Sequence, residues 1–139
     1  MPATSDISVL ITDDDASVRS CVAEIVAELG HRVFTAGSGT EALTVLRTER
    51  IGLTIFDVHL PDMTGFDIVE TYRTGPWIAE ARRAPARREV REVVPAIFMS
   101  GDATPQMHDD CRSRGWTLLD KPFGPDDMRR AIHRLLGVS

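Results

Sequence analysis

Cysteine and lysine are almost missing from this chain of 139 residues, which holds two cysteines and a single lysine among its sixteen basic residues. Cys21 and Cys111 lie far apart, and neither has a cysteine or histidine at the spacing of a partner metal ligand. The pattern gives no indication of a disulfide framework or a zinc site. We therefore expect two reduced, mostly buried thiols, since free cysteine is among the residue types most often found in protein interiors.

Long apolar runs and an excess of positive charge are absent as well. No apolar stretch approaches the about 20 residues that a membrane-spanning helix needs, and residues 1–8 lack the basic start and apolar core of a secretory signal. The net charge of −5 argues against direct nucleic-acid binding. We expect a cytoplasmic protein without membrane contact, folded as one domain over 1–139 with its core at about 8–136, and either monomeric or a weak homodimer.

Five short apolar runs alternate with stretches that carry apolar residues at helical spacing. The runs are continuously apolar instead of alternating with polar residues, which is typical of strands that have helices on both faces. Strand–helix alternation of this kind favours an α/β fold with a parallel sheet. The predicted strands are 8–12, 32–36, 51–56, 96–99 and 116–119.

Reactive polar residues stand at the ends of these predicted strands. Asp13 and Asp14 follow the first strand, Asp57 follows the third, Ser100 follows the fourth, and Lys121 lies just beyond the fifth. Ligands of open α/β sheets bind beyond the carboxyl ends of the strands, where the strand order reverses. We therefore expect these five residues to meet in one shallow site.

The chemistry of the five residues is mutually consistent. Three carboxylates in one place repel each other and recruit a cation, and an oxygen-only site suits Mg²⁺ or Mn²⁺. A carboxylate can also act as a nucleophile and form an acyl phosphate. Lys121 would supply a compact positive charge to one phosphate oxygen, and the Ser100 hydroxyl can donate a hydrogen bond to another. The pattern indicates metal-dependent phosphoryl transfer to an aspartate.

With these motifs the chain resembles the response-regulator receiver domains of two-component signalling. The resemblance rests on LITDDD at 10–15, DVHLPDMTG at 57–65, SG at 100–101 and DKPF at 120–123, and it covers about 9–136. It implies a flavodoxin-like, doubly wound (βα)5 fold whose five-stranded parallel sheet has the order 2-1-3-4-5.

The resemblance also implies a role for each site residue. Asp57 matches the phosphoacceptor, Ser100 the switch hydroxyl and Lys121 the phosphate-binding lysine. The residues that match the metal site are Asp13, Asp14 as the direct ligand, Asp57, and His59 through its main-chain carbonyl.

Two features depart from the family pattern. Leu118 stands where many members have Tyr or Phe, and leucine cannot give the aromatic signal that couples the site to the output face. The segment between Gly65 and Ser100 is longer than the family usually needs, and within it 80–92 contains five arginines and three glutamates. We interpret 80–92 as a solvated helix extension and loop; the alternative is a docking surface for an acidic partner or nucleic acid.

The expected function is that of a signalling switch. A sensor histidine kinase, a histidine phosphotransfer protein or a small acyl phosphate would phosphorylate Asp57, and the product would shift a conformational equilibrium that controls a partner protein. We expect no enzymatic turnover beyond self-phosphorylation and autodephosphorylation. The sequence leaves three alternatives: a phosphorylation-independent scaffold; an aspartyl phosphohydrolase, which would need a second Asp where His59 stands; and a flavin-binding domain, whose phosphate the acids at 13–15 would repel.

Overall fold

The computed structural model describes residues 7–74 and 94–137, and the arginine-rich segment 80–92 lies outside them. The described residues alternate strictly between strand and helix, as the apolar pattern predicts. Predicted and observed strands differ by two residues at most, the largest shift being at the start of the third strand. The elements are β1 (Ser8–Thr12), α1 (Ala16–Glu28), β2 (Arg32–Ala36), α2 (Gly39–Thr48), β3 (Leu53–Asp57), α3 (Gly65–Thr74), β4 (Ala96–Ser100), α4 (Pro105–Ser113), β5 (Thr117–Asp120) and α5 (Pro125–Leu136).

All five strands form one parallel sheet in the order β2-β1-β3-β4-β5, which confirms the fold and the strand order expected from the sequence. The order reverses between β1 and β3. Thr12 of β1 is level with Phe56 of β3, and Asp57 is level with Met99 of β4. The strands therefore end together, and the residues that follow Thr12 and Phe56 emerge side by side at the switch point.

Helices cover both faces of the sheet, so that β3 and β4 are buried along their whole length. Phe56 and Phe98 point to the face covered by α2, α3 and α4, whereas Ile55 and Met99 point to the face covered by α1 and α5. This double burial is why the strands are continuously apolar. In the part of the chain that the structure describes, no helix is both long enough and apolar enough to cross a membrane.

The two thiols differ in burial. Cys111 of α4 is buried, whereas Cys21 of α1 is exposed, so the expectation of mostly buried thiols is wrong for Cys21. The sheet-facing side of α1 is formed by Val22, Ile25 and Val26, which places the neighbouring Cys21 outside the packed stripe.

Candidate functional site

The three carboxylates predicted to cluster do lie together at the carboxyl end of the sheet. Asp57 ends β3 and is buried, Asp13 follows β1 and is completely buried, and Asp14 next to it is exposed. One oxygen from each of the three carboxylates lies within 4.8 Å of the other two. The site is therefore an oxygen-lined pocket that is open to solvent on the Asp14 side.

Lys121 reaches into this cluster from the end of β5. Its Nζ lies 3.0 Å from Oδ2 of Asp13 and 3.5 Å from Oδ1 of Asp57. The lysine is positioned by its own backbone N–H, which donates a 2.7 Å hydrogen bond to the carbonyl of Ser100, and a cis peptide bond joins it to Pro122. The lone lysine of the chain thus lies between two of the three carboxylates, as the sequence predicts.

The acids that follow β1 have separate structural roles. Asp15 caps α1, because its carboxylate accepts hydrogen bonds from the backbone N–H groups of Ser17 at 2.8 Å and Val18 at 3.4 Å. The Asp15 N–H donates to Oδ1 of Asp13 at 2.9 Å, and Arg19 Nη1 donates to the Asp13 carbonyl at 2.7 Å. These bonds fix the position of Asp13. Because Asp15 is the residue that caps α1, the carboxylates of Asp13 and Asp14 are available to the cluster.

The site carries a surplus of negative charge. Burial, together with the neighbouring Asp13 charge, raises the pKa of Asp57 above its ordinary value, although Lys121 and the His59 N–H act in the opposite direction. Burial lowers the pKa of Lys121, but its hydrogen bond to Asp13 and the charges of both carboxylates outweigh this, and that pKa is raised overall. One protonated lysine, in contact with Asp13 and Asp57, therefore offsets only part of the charge of the three carboxylates, an arrangement that can accept a divalent cation.

Ser100 is completely buried and bonds to a residue that sequence reasoning missed. Its hydroxyl donates a 2.8 Å hydrogen bond to Oδ1 of Asp102, and the same oxygen lies 2.9 Å from Nε2 of His59. These contacts, led by the Ser100 hydroxyl, lower the pKa of Asp102. Spacing was the available signal: Asp102 lies two residues beyond Ser100, as His59 lies two residues beyond Asp57 on the adjacent strand.

A second missed residue is Asp62, in the loop that follows β3. Its carboxylate accepts hydrogen bonds from the backbone N–H groups of Gly39 at 2.8 Å and Thr40 at 2.9 Å, and from the Thr40 hydroxyl at 2.7 Å. The Gly39 bond, followed by those from Thr40, lowers the pKa of Asp62 to about 2. Asp62 thereby ties the loop beside Asp57 to the N-terminus of α2, where a negative charge is favoured.

Leu118 is buried in β5, level with Phe98 of β4. An aromatic side chain, Trp116, stands two residues before Leu118. Its ring centroid lies 5.0 Å from that of Phe98 and 5.9 Å from that of Phe66. Trp116 is partly buried and packs against the core on this face of the sheet.

A groove of ≈ 480 Å³ opens beside the carboxylate cluster, between α1 and the segment that follows β5. Lys121 forms the end of the groove that is next to Asp57. The other lining residues, mostly apolar, are Ser17, Val18, Cys21, Val22, Pro122 and Phe123. Sequence reasoning missed this groove because apolar residues at helical spacing do not show which of them stay uncovered.

Comparison with known proteins points to one family. A family model for the response regulator receiver domain matches residues 9–133. A two-component response regulator of Oryza sativa subsp. indica is 30% identical over 130 residues, which are 92% of this chain and 89% of that protein. Sporulation initiation phosphotransferase F of Bacillus subtilis is 26% identical over 129 residues, 92% of each chain. The structure of a chemotaxis response regulator of Vibrio cholerae aligns with a TM-score of 0.72 at 27% identity, covering 93% of this chain and 98% of the other.

Proposed function

The chain belongs to the response regulator receiver domain family, and we propose that it is a phosphorylation switch whose phosphoacceptor is Asp57. The observation that carries this proposal is the position of Lys121. Its ammonium lies 3.5 Å from Oδ1 of Asp57, in a cluster of three carboxylates at the carboxyl end of the sheet. An ammonium so placed can bind an oxygen of a phosphoryl group attached to Asp57.

The reaction we propose is transfer of a phosphoryl group from a phosphohistidine or a small acyl phosphate. A carboxylate oxygen of Asp57 forms a bond to phosphorus as the bond from phosphorus to the donor breaks, and the donor atom keeps the electron pair. Asp57 must be ionised to attack, and Lys121 favours that state against the effects of burial and Asp13. We expect no catalytic turnover beyond self-phosphorylation and autodephosphorylation.

We propose that Mg²⁺ or Mn²⁺ supports this reaction. The oxygen donors suit such an ion, because carboxylates and carbonyls are the ligands that hard divalent cations prefer. The residues that would hold the ion are Asp13, Asp14 and Asp57 through their carboxylates and His59 through its main-chain carbonyl. When bound, it would offset the negative charge of the phosphoryl oxygens and of the three acids.

Ser100 is the proposed switch residue. In the structure its hydroxyl donates to Asp102, so a hydrogen bond from Ser100 to the phosphoryl group requires the hydroxyl to leave Asp102. Phosphorylation would therefore favour a state in which the loops after β3 and β4 are rearranged. The rearranged surface would act on a partner protein, without direct contact to nucleic acid. Because residue 118 is leucine, the rearrangement would reach the partner without an aromatic side chain at that position.

We propose that the groove beside Lys121 is the docking place of the phosphodonor, and we call it the phosphodonor groove. The donor would be a sensor histidine kinase or a histidine phosphotransfer protein. The groove is mostly apolar and is lined by Lys121, whose ammonium lies 3.5 Å from Asp57, so a donor helix seated there would bring its phosphohistidine close to Asp57. The name of the Bacillus relative, a phosphotransferase, agrees with this proposal. An exposed, unpaired Cys21 in the same groove suits a reducing compartment such as the cytoplasm.

The experiment is incubation with Mg²⁺ and a small phosphodonor, followed by intact-protein mass spectrometry. We expect the wild type and a control variant, Asp109→Asn on the exposed side of α4, to gain one phosphoryl group, and Asp57→Asn to gain none. A metal chelator should abolish labelling. If the wild type stays unlabelled, or Asp57→Asn is labelled equally, the proposal fails, and a phosphorylation-independent scaffold becomes the better interpretation.

A further inference from the structure

A second groove, of ≈ 250 Å³, lies between α3 and α4, away from the phosphodonor groove. It combines an apolar floor with a rim of carboxylates, and we call it the α3–α4 groove. The floor is formed by Phe66, Met107 and Trp116, and the rim by Asp67, Glu70 and Asp110. Its volume is below that of drug-sized ligand sites, about 300–1,000 Å³, and suits one or two side chains of a peptide.

We propose that the α3–α4 groove is a docking surface for an arginine-bearing peptide segment of a partner protein. The chain itself shows how a guanidinium fits there. The Arg114 guanidinium carbon lies 5.2 Å from the centroid of the Trp116 ring, and its Nη1 lies 3.5 Å from Oε1 of Glu70. An aromatic face and a carboxylate thus already bind one guanidinium at the edge of the groove.

The charges of the groove favour a cationic occupant. The residues that line the groove include three carboxylates but one guanidinium, that of Arg114. Glu70 also pairs with Arg73 at 3.5 Å. The other two carboxylates are positioned by neutral donors. Asp67 accepts from the Thr64 N–H at 3.1 Å, and Asp110 accepts from Nε2 of Gln106 at 3.0 Å. Because neutral donors leave the charge in place, both acids keep acceptor capacity for an incoming arginine.

The floor of the groove favours an apolar side chain next to that arginine. Phe66 and Trp116 stack with ring centroids 5.9 Å apart and an interplanar angle of 17°, and both remain partly exposed. Met107 adds an adaptable apolar surface. Aromatic and methionine side chains of this kind are enriched at protein interfaces, where they bury a large apolar area.

The groove adjoins the phosphoacceptor strand. Phe66 packs against Phe98 with ring centroids 4.6 Å apart and an interplanar angle of 43°, and Phe98 is level with Phe56, the residue before Asp57. Gly65 packs so closely that a Cβ there would lie 2.8 Å from the carbonyl oxygen of Asp57. A peptide in the groove would therefore contact side chains that pack directly against the site. The docking surface itself does not rest on phosphorylation of Asp57, so the two proposals fail separately.

The test uses the whole chain and a fluorescein-labelled, capped peptide made of three Arg-Leu repeats, with binding followed by fluorescence anisotropy. We expect saturable binding to the wild type and at least about fivefold weaker binding to the double variant Glu70→Gln/Asp110→Asn, since two charge pairs are lost. The matched control is Asp109→Asn, which removes one charge from the same helix outside the groove and should bind like the wild type. The citrulline counterpart of the peptide, which lacks the charge, should bind weakly.

A charge swap guards against a double variant that is merely misfolded. Glu70→Lys/Asp110→Lys should lose the Arg-Leu peptide and gain a Glu-Leu peptide of the same length. The proposal is overturned if the wild type shows no saturable binding at millimolar peptide, or if the double variant binds as tightly as the wild type. It is also overturned if sedimentation shows that the chain dimerises and Glu70→Gln/Asp110→Asn dissociates the dimer, because the occupant would then be a second copy.

Discussion

The hydroxyl of Ser100 donates a 2.8 Å hydrogen bond to Oδ1 of Asp102, two residues farther along the chain. The same oxygen lies 2.9 Å from Nε2 of His59, so that the loops after β3 and β4 meet at one carboxylate atom. Ser100 is completely buried, whereas Asp102 is exposed. Asp102 therefore competes with a phosphoryl group on Asp57 for the hydrogen bond that the Ser100 hydroxyl donates.

Replacing Asp102 with alanine should release the Ser100 hydroxyl. We expect Asp102→Ala to be phosphorylated faster than the wild type by a small donor, because a hydrogen bond to a charged acceptor no longer has to break before Ser100 can turn towards Asp57. Asp102→Asn keeps a weaker acceptor and should lie between the two. Initial rates from intact mass measure the effect, and a slower Asp102→Ala would show that the contact assists phosphorylation.

Removing the charge of Lys121 should impair phosphorylation strongly. Lys121→Met keeps an unbranched apolar side chain but lacks the ammonium that lies 3.0 Å from Asp13 and 3.5 Å from Asp57. We expect labelling by a small donor to slow by ~10²-fold, the typical cost of losing one charged or hydrogen-bonding contact to a reacting oxygen. Lys121→Arg should not restore the rate, because a planar guanidinium does not replace a compact ammonium. A wild-type rate in Lys121→Met would remove Lys121 from the mechanism, and a wild-type rate in Lys121→Arg would show that a guanidinium serves as well as an ammonium.

Much of this site could be predicted because its members are attached to the regular part of the fold. Asp13, Asp57 and Ser100 follow or end buried strands, and parallel strands in register end together, so strand prediction alone brings them into one place. Asp62 could not be predicted in the same way, because its partners Gly39 and Thr40 lie at the start of α2. Asp102 bonds to Ser100 two residues before it, but its contact with His59, in the loop after β3, depends on the fold. Nothing in the spacing shows that Asp62 bonds to Gly39.

Burial on α1 was harder to predict than the strands, for a related reason. Apolar residues at 18, 21, 22, 25 and 26 fit a single helical stripe, but only Val22, Ile25 and Val26 are buried. The groove beside Lys121 leaves the other edge of that stripe open. A sequence pattern shows which residues of a helix share one face, but not how much of that face the rest of the protein covers.

Asp57→Asn should stabilise the metal-free protein. The pKa of Asp57 is raised above its ordinary value of 3.8, chiefly by burial and then by Asp13, so the folded chain binds this proton more tightly than the unfolded chain. Stability is therefore lost as pH rises from 3.8 through the raised pKa, where the buried carboxylate ionises. We expect a higher melting temperature for Asp57→Asn at neutral pH in the presence of a chelator. The advantage should shrink as pH falls towards 3.8, and an advantage that is independent of pH would contradict this account.

Cys21 offers a way to test docking in the phosphodonor groove separately from phosphorylation of Asp57. Because Cys21 is exposed in the groove, a bulky maleimide should react there, whereas Cys111 is buried and its thiol pKa is raised by burial and by Asp110. We expect the modified protein to be labelled normally by a small phosphodonor but slowly by any histidine kinase that labels the wild type. Cys21→Ser treated with the same reagent is the control. Equal transfer from the kinase before and after modification would place its docking surface elsewhere.

Asp62 should contribute stability with the opposite pH dependence to Asp57. Hydrogen bonds from Gly39 and Thr40 hold its folded-state pKa at about 2, below the ordinary value of 3.8. The contribution is therefore fully present above pH 3.8 and is lost as pH falls to about 2, where the folded carboxylate takes up a proton. We expect Asp62→Asn to melt at a lower temperature than the wild type at neutral pH, because an amide has one acceptor atom where the carboxylate uses two oxygens.

Thermal melts across this acidic range measure the Asp62 contribution. Glu24→Gln, an exposed acid of α1, is the control for losing one negative charge. The gap between the wild type and Asp62→Asn should narrow as pH approaches 2, while the gap for Glu24→Gln should stay small throughout. A constant gap would mean that Asp62 acts through packing, since only a bond to the ionised carboxylate disappears when that carboxylate is protonated. The pH at which the gap narrows therefore reports how firmly the loop beside Asp57 is tied to α2.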